Sequence, residues 1–95
     1  MISKGKLELE NQLAEWLAKL REEKGISQEA LALQLGKGQS DITKIERGQK
    51  RVSVIELISW MAALDIPFER IDEGILPIYL KLTQKKTLWN RSNEH

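Results

Sequence analysis

The chain has 95 residues, a formal net charge of +1 and no cysteine. This length suits a single domain with a small hydrophobic core, and the lack of cysteine excludes disulfides and thiolate metal sites. No apolar run reaches about eighteen residues and no signal-peptide pattern is present, so we expect a cytoplasmic protein that does not interact with a membrane.

The first predicted helix runs from about residue 7 to residue 24 and follows an N-terminal arm, residues 1–6. Charged residues cover most of its surface, whereas apolar residues recur on one stripe at helical spacing. The stripe consists of Leu9, Leu13, Trp16, Leu17 and Leu20. Gly25 ends the helix. We expect Trp16, and also Trp60 further along the chain, to be core residues rather than a platform for a ligand.

A second and a third short helix are predicted next, joined by a tight turn. Ser27 is a favourable N-cap for the second helix, which ends at Leu35 because Gly36 tolerates the left-handed backbone of a turn. The third helix has only two large apolar residues, Ile42 and Ile45, and its outward residues all form hydrogen bonds. These outward residues are Gln39, Ser40, Thr43, Lys44 and Arg47. Two helices so joined, the second polar outward, are typical of a helix-turn-helix.

Positive charge is concentrated around the third predicted helix. Residues 37–51 contain five basic and two acidic side chains, a local charge of +3, whereas residues 52–73 contain one basic and five acidic side chains, a charge of −4. The total charge alone does not indicate a nucleic-acid partner. The basic region coincides with the polar helix face, however, as expected of an electrostatic footprint on DNA.

A fourth helix is predicted to begin after Ser53, because Glu56 lies three residues later at the spacing of a capping box. Its apolar stripe consists of Val54, Leu57, Ile58, Met61 and Leu64. We expect it to stop at residues 65–67, since a residue that precedes proline avoids the helical region. Residues 68–72 could form a fifth, short helix. Residues 7–72 are therefore predicted to form an all-α domain of four to five short helices.

The C-terminal extension, residues 73–95, gives two conflicting patterns between residues 74 and 82, GILPIYLKL. The strand-like alternation is that of Leu76, Ile78, Leu80 and Leu82. The helical spacing is that of Ile75, Tyr79 and Leu82. The β-branched and aromatic character of residues 78–80 favours an extended conformation.

Exposed apolar residues beyond a complete small domain are typical of a contact surface. We therefore predict that the extension builds a two-fold homodimer, by strand pairing or by helix packing, or that it binds another partner. The residues predicted to make this contact are Phe68, Ile75, Leu76, Ile78, Tyr79, Leu80, Leu82 and Trp89. The alternative is that the extension folds back on its own domain.

Residues 20–64 resemble the lambda-repressor/Cro-like helix-turn-helix proteins of the XRE family. The resemblance is carried by LREEKGISQEALA, by the LG that ends the second helix, by QSDITKIERG and by a fourth amphipathic helix ending near ALDI. It implies a lambda-repressor-like bundle, double-stranded DNA as the partner and a role in transcription regulation. It also implies that the third helix enters the major groove.

The resemblance implies roles for individual residues. Base reading is expected of Gln39, Ser40, Thr43 and Lys44, where the amide of Gln39 suits adenine and Lys44 suits a guanine acceptor edge. Phosphate binding is expected of Gln28, Lys37, Arg47, Lys50 and Arg51. Gln28 would also brace the first reading residue. Arg21 and Glu46 match an ion pair of the family that orients the reading helix without touching DNA.

Two residues depart from the pattern of the family. Gly38 occupies a position where Ser or Thr commonly caps the third helix and touches DNA, so that the hydroxyl contact is lost. Asp41 lies early in the reading helix, where it suits the helix dipole but repels phosphates. It either accepts a hydrogen bond from a cytosine amine or points away from DNA.

The sequence thus predicts a sequence-specific transcriptional regulator, a repressor that reads a pseudo-palindromic operator as a homodimer. The alternative is an antitoxin that binds a toxin protein and represses the operon they share. We expect no enzyme, because the only histidine is the terminal His95, which excludes a histidine-based triad or zinc site. Neither a cofactor nor a metal is expected.

Overall fold

The computed structural model of the protein describes the backbone of residues 4–93 and the side chains of residues 8–84. Within the described range the chain forms five α-helices and one 3₁₀ turn, and no strand. The elements are α1 (Lys4–Glu23), α2 (Gln28–Leu35), α3 (Gln39–Glu46), α4 (Val54–Ala63), the 3₁₀ turn (Phe68–Ile71) and α5 (Asp72–Asn93). The all-α fold is therefore confirmed. α1 begins three residues before its predicted start, and residues 1–3 of the predicted arm lie outside the described residues.

The caps of α2 and α4 lie where the sequence predicts them. The Ser27 side chain accepts a hydrogen bond from the Ala30 backbone N–H at 3.1 Å, and Gly36 ends α2 with a left-handed φ of 66°. Ser53 and Glu56 form the complete capping box of α4, with two reciprocal hydrogen bonds of 3.0 Å. These local interactions fix the helix boundaries around the turn that joins α2 to α3.

The core lies where α1, α2, α3 and α4 meet. Its buried residues are Trp16, Leu17, Leu20, Leu31, Ala32, Ile42, Ile45, Leu57, Trp60, Met61, Leu64 and Ile66. Trp60 donates a hydrogen bond from its indole N–H to the Leu17 carbonyl oxygen at 3.1 Å, which ties α4 to α1. The two tryptophans expected in the core are thus both buried.

The predictions for α4 are only partly correct. The helix ends at Ala63 because Asp65 adopts a left-handed φ of 55°, before the proline can act. Trp60 is buried as expected, but two residues of the predicted core stripe are not, since Val54 and Ile58 are 70% and 41% exposed. α4 presents only one face to the core, and both residues lie beside that face.

The extended conformation favoured for the tail is wrong. α5 follows directly on the 3₁₀ turn, which lies where the fifth short helix is predicted, and continues through Pro77. Gly74 is buried against Trp16 and Ile75 packs against the core, so α5 docks on α1 through its first turn. A helix also satisfies its own backbone hydrogen bonds, whereas a strand here has no neighbouring strand to pair with.

Candidate nucleic-acid interface

α3 is held by its apolar side and presents a polar side outward. Ile42 and Ile45 are fully buried between α3 and the rest of the core. Three of the four predicted base-reading side chains are exposed on the opposite side, and the fourth, Thr43, is partly buried. The exposed ones are Gln39, Ser40 and Lys44, and they are joined there by Arg47.

An ion pair fixes the C-terminal end of α3 to α1. Arg21 donates to Glu46 through Nε at 2.6 Å and through Nη2 at 3.1 Å, and it also donates to the Ile26 carbonyl oxygen at 2.7 Å. The side chains of Arg21 and Glu46 are only 13% and 7% exposed. The hydrogen bonds that Arg21 donates to Glu46 raise the pKa of Arg21 above its ordinary value. The pair implied by the resemblance is therefore present, and it faces away from solvent.

Gln28 connects this ion pair to the outward side of α3. Its Nε2 donates to Glu46 at 2.9 Å, and its Oε1 accepts a hydrogen bond from the Thr43 hydroxyl at 2.8 Å. Gln39 approaches the same oxygen more loosely, at 3.5 Å. The Gln28 amide thus bridges α2 to three positions of α3, and it limits the rotation of Thr43 and Gln39.

Three of the cations predicted to bind phosphate are paired with carboxylates of the same chain. The pairs are Lys37–Glu56 at 2.9 Å, Lys50–Asp41 at 3.7 Å and Arg51–Glu10 at 3.5 Å. Among the described side chains, Lys44 and Arg47 form no ion pair. The role of Glu10 was not predictable from the sequence, because only the packing of α1 beside the loop after α3 brings it to Arg51.

The two departures from the family pattern have clear structural counterparts. Gly38 caps α3 with an extended backbone, and no side-chain hydrogen bond is made there. Asp41 lies in the first turn of α3 and directs its carboxylate towards Lys50. Asp41 thus lies beside a predicted phosphate contact at the edge of the reading face.

The predicted contact residues of the tail fall into two groups. Phe68, Leu76, Tyr79, Leu80 and Leu82 are exposed, whereas Ile75 packs against the core of its own domain and Ile78 is partly buried. Trp89 lies outside the described side chains. Leu76, Tyr79 and Leu80 are three and four residues apart, so they share one face of α5, which we name the α5 surface.

A second exposed apolar patch was missed by the sequence analysis. Val54, Ile55 and Ile58 cluster on the first two turns of α4, and Ile55 is 72% exposed. We name these three residues the α4 patch. Ile55 does not belong to the predicted core stripe of α4. A large apolar residue outside that stripe was the feature of the sequence that could have indicated the patch.

A family model described as helix-turn-helix matches residues 17–71. The chain belongs to the XRE-type helix-turn-helix family. The matched residues contain α2, α3 and α4 in full and the greater part of the core. The resemblance noted in the sequence is thereby confirmed, and the chain is a DNA-binding transcriptional regulator rather than an enzyme.

Solved structures of regulators are similar to the chain. The restriction-modification controller protein C.AhdI from Aeromonas hydrophila is 39% identical, with 62% of this chain and 88% of that chain covered and a TM-score of 0.57. A mutant of the controller protein C.Esp1396I is 27% identical over 85% of this chain and 98% of that chain, with a TM-score of 0.67. The clp gene regulator ClgR from Corynebacterium glutamicum is 25% identical over 92% and 94%, with a TM-score of 0.65. No curated protein matches the chain significantly.

The described part of the chain has neither a membrane-spanning helix nor a cluster of metal ligands. None of the helices there is both long enough and apolar enough to cross a membrane. Likewise, no three or more His, Cys, Asp or Glu side chains of that part are grouped so that they could hold a metal ion.

Proposed function

We propose that the chain is a cytoplasmic repressor that reads a pseudo-palindromic operator as a homodimer, with α3 in the major groove. The observation that carries this proposal is the polar side of α3, which is exposed although its opposite side is fully buried. A polar face held this rigidly suits hydrogen bonding to base edges, because the side chains need little reordering when they bind.

The proposed division of labour follows the positions of the side chains. Gln39 and Lys44 read base edges, because an amide matches adenine bidentately and an ammonium matches the guanine acceptors. Ser40 and Thr43 lie on the same face and complete the reading set. The proposed phosphate contacts flank this face, and they fix the register of the helix without reading sequence. They are Gln28, Lys37, Arg47, Lys50 and Arg51.

The homodimer is supported by the apolar residues that α5 exposes. One short reading helix spans only a few base pairs, whereas two related by a dyad read half-sites about 34 Å apart. The residues of the α5 surface are exposed in the single chain, and they would be covered by a second copy. Occupancy of such an operator beside a promoter would exclude polymerase and cause repression.

Selection from a random DNA library tests this proposal. Wild-type protein should enrich a palindromic consensus, and a Gln39→Ala/Lys44→Ala variant should lose it. A matched control is Gln34→Ala/Lys24→Ala, which removes the same residue types from exposed positions outside α3. The control should keep the consensus. A folded wild-type protein that enriches no sequence at low salt would contradict the proposal.

A second candidate function is an antitoxin that binds a toxin protein and represses the shared operon. The α4 patch favours this candidate. If the α5 surface forms the homodimer, the α4 patch is a second exposed apolar surface that can contact a toxin protein. Co-expression with the product of a neighbouring gene tests this candidate. A stable complex that Ile55→Ser disrupts, without loss of the homodimer, would support it, and a homodimer that binds no such product would exclude it.

A further inference from the structure

Three of the basic side chains beside the reading face are paired with carboxylates in this structure. Lys37, Lys50 and Arg51 each lie within 3.7 Å of a carboxylate that comes from a different part of the chain. The three carboxylates belong to Glu56, Asp41 and Glu10 in the same order, and we name them the competing carboxylates. They lie at three separate places around the same interface, on α4, α3 and α1.

We propose that the competing carboxylates compete with DNA phosphates for these three cations, and that they thereby set the strength and the salt dependence of sequence-independent DNA binding. This inference rests on the proposed DNA contacts. It adds a group of residues that lowers affinity, whereas the proposed function names only residues that raise it.

The physical basis is an exchange of one anion for another. These ion pairs are exposed or partly exposed and therefore weak, so a phosphate can displace the carboxylate from each cation or share the cation with it. The carboxylate stays beside the phosphate, however, and the two negative charges repel each other. Each paired cation therefore contributes less than a free cation would. Lys44 and Arg47, which form no ion pair among the described side chains, escape this competition.

The pairs differ in how firmly the carboxylate is held. Glu56 is fixed by its capping-box hydrogen bond to the Ser53 backbone N–H, and this bond together with Lys37 lowers its pKa. The Glu56 carboxylate is therefore held in place, and the Lys37 ammonium must move away from it to reach a phosphate. Asp41 lies in the first turn of α3 with a longer contact to Lys50. Because α3 is the helix proposed to enter the major groove, Asp41 lies nearer to DNA than the other two carboxylates, and it repels phosphates most directly.

The consequence concerns binding to arbitrary sequence. Non-specific binding consists almost entirely of phosphate contacts and counterion release. Carboxylates that weaken these contacts lower the affinity for the many competing sites. The base contacts of α3 are then required for stable occupancy.

The test measures affinity for a non-specific duplex across a salt series, by fluorescence anisotropy. Asp41→Asn and Glu10→Gln should each bind about three- to tenfold more tightly at low salt. Their salt slopes should steepen by up to about 0.9 each, as expected when one cation engages a phosphate fully. Glu69→Gln is the matched control, because it makes the same charge change at an exposed residue without an ion pair among the described side chains. It should change affinity less than about twofold.

A double-mutant cycle separates competition for a cation from a general loss of negative charge. The gain from Asp41→Asn should shrink in a Lys50→Ala background, where only direct repulsion of phosphate by Asp41 remains, and the gain from Glu10→Gln should disappear in an Arg51→Ala background. Gains of undiminished size in both backgrounds, or gains that equal the control, would overturn the inference while leaving DNA binding intact. Folded proteins that bind no duplex in any variant would overturn the proposed function as well.

Discussion

α3 and α5 differ in what lies on their two sides. α3 buries two isoleucines completely, is tied to α1 and α2 by the Arg21–Glu46–Gln28 network, and exposes polar side chains. α5 docks on α1 through Gly74 and Ile75, and it exposes an apolar surface. The exposed side of α3 is thus polar, whereas the exposed side of α5 is apolar. We therefore expect α3 to contact a polar partner and α5 an apolar one.

The largest expected effect comes from breaking the network behind α3. Glu46→Ala removes the partner of a largely buried guanidinium and of the Gln28 amide. We expect the free energy of unfolding to fall by about 3 kcal/mol, because Arg21 is left without its counter-charge. Urea denaturation measures this change. Glu15→Ala, at an exposed position of α1, is the control and should cost less than about 0.5 kcal/mol. Equal effects of the two substitutions would show that the network does not hold α3.

The docking of α5 should respond to a single methyl group. A Cβ at Gly74 would overlap the ring of Trp16, so that Gly74→Ala should destabilise the protein by about 1–3 kcal/mol. Gly38→Ala is the control, because its methyl group would meet only the Ser40 hydroxyl oxygen, at an ordinary 3.8 Å. Thermal unfolding compares the two. If Gly74→Ala proves as stable as wild type, then α5 does not pack as closely on Trp16 as described.

The α5 surface and the α4 patch can be compared directly as dimer contacts. Leu76→Ser/Tyr79→Ser should raise the dissociation constant of the homodimer about tenfold or more, because two large apolar side chains are lost. Val54→Ser/Ile58→Ser removes two apolar side chains from α4 and should leave the homodimer intact. Sedimentation at several protein concentrations measures both. Dissociation caused only by the α4 variant would move the predicted interface from α5 to α4.

The smallest expected effect is on the stability of the protein at acidic pH. Arg70 hydrogen-bonds Glu23 and Glu73 and lowers the pKa of both carboxyls below the ordinary 4.5. A lowered native pKa gives stability that is present above 4.5 and is lost as the pH falls through the native value. We therefore expect stability to decrease below about pH 4.5, and Arg70→Gln to reduce that decrease. Denaturation midpoints at pH 3 to 7 test this, and identical acid profiles for the two proteins would contradict it.

The sequence predicted the parts of the fold that depend on local interactions. The caps at Ser27 and Ser53 and the left-handed turn at Gly36 involve neighbouring residues, so that pattern and spacing were sufficient. The conformation of residues 74–82 depends instead on contact with Trp16 on α1. A contact between residues so far apart in the chain cannot be predicted from a local sequence pattern, and the alternation of apolar residues in this segment suggested a strand.

The candidate site divides in the same way. The outward polar residues of α3 follow from helical spacing between Ile42 and Ile45, both of which are buried as expected. The bridging position of Gln28 and the pairing of Arg51 with Glu10 depend on how separate helices pack, and composition does not contain that information. The roles of these residues on DNA stay predictions.

The most direct test of the account is the base preference of Gln39→Ala. Affinities of wild-type and variant protein would be measured for the selected operator half-site and for each of its single-base-pair changes. We expect discrimination between base pairs to fall by about 1–3 kcal/mol at one position and to be unchanged elsewhere, because one bidentate contact is removed. An unchanged preference at every position, or an equal loss of affinity for all sequences, would contradict the claim that the outward side of α3 reads DNA.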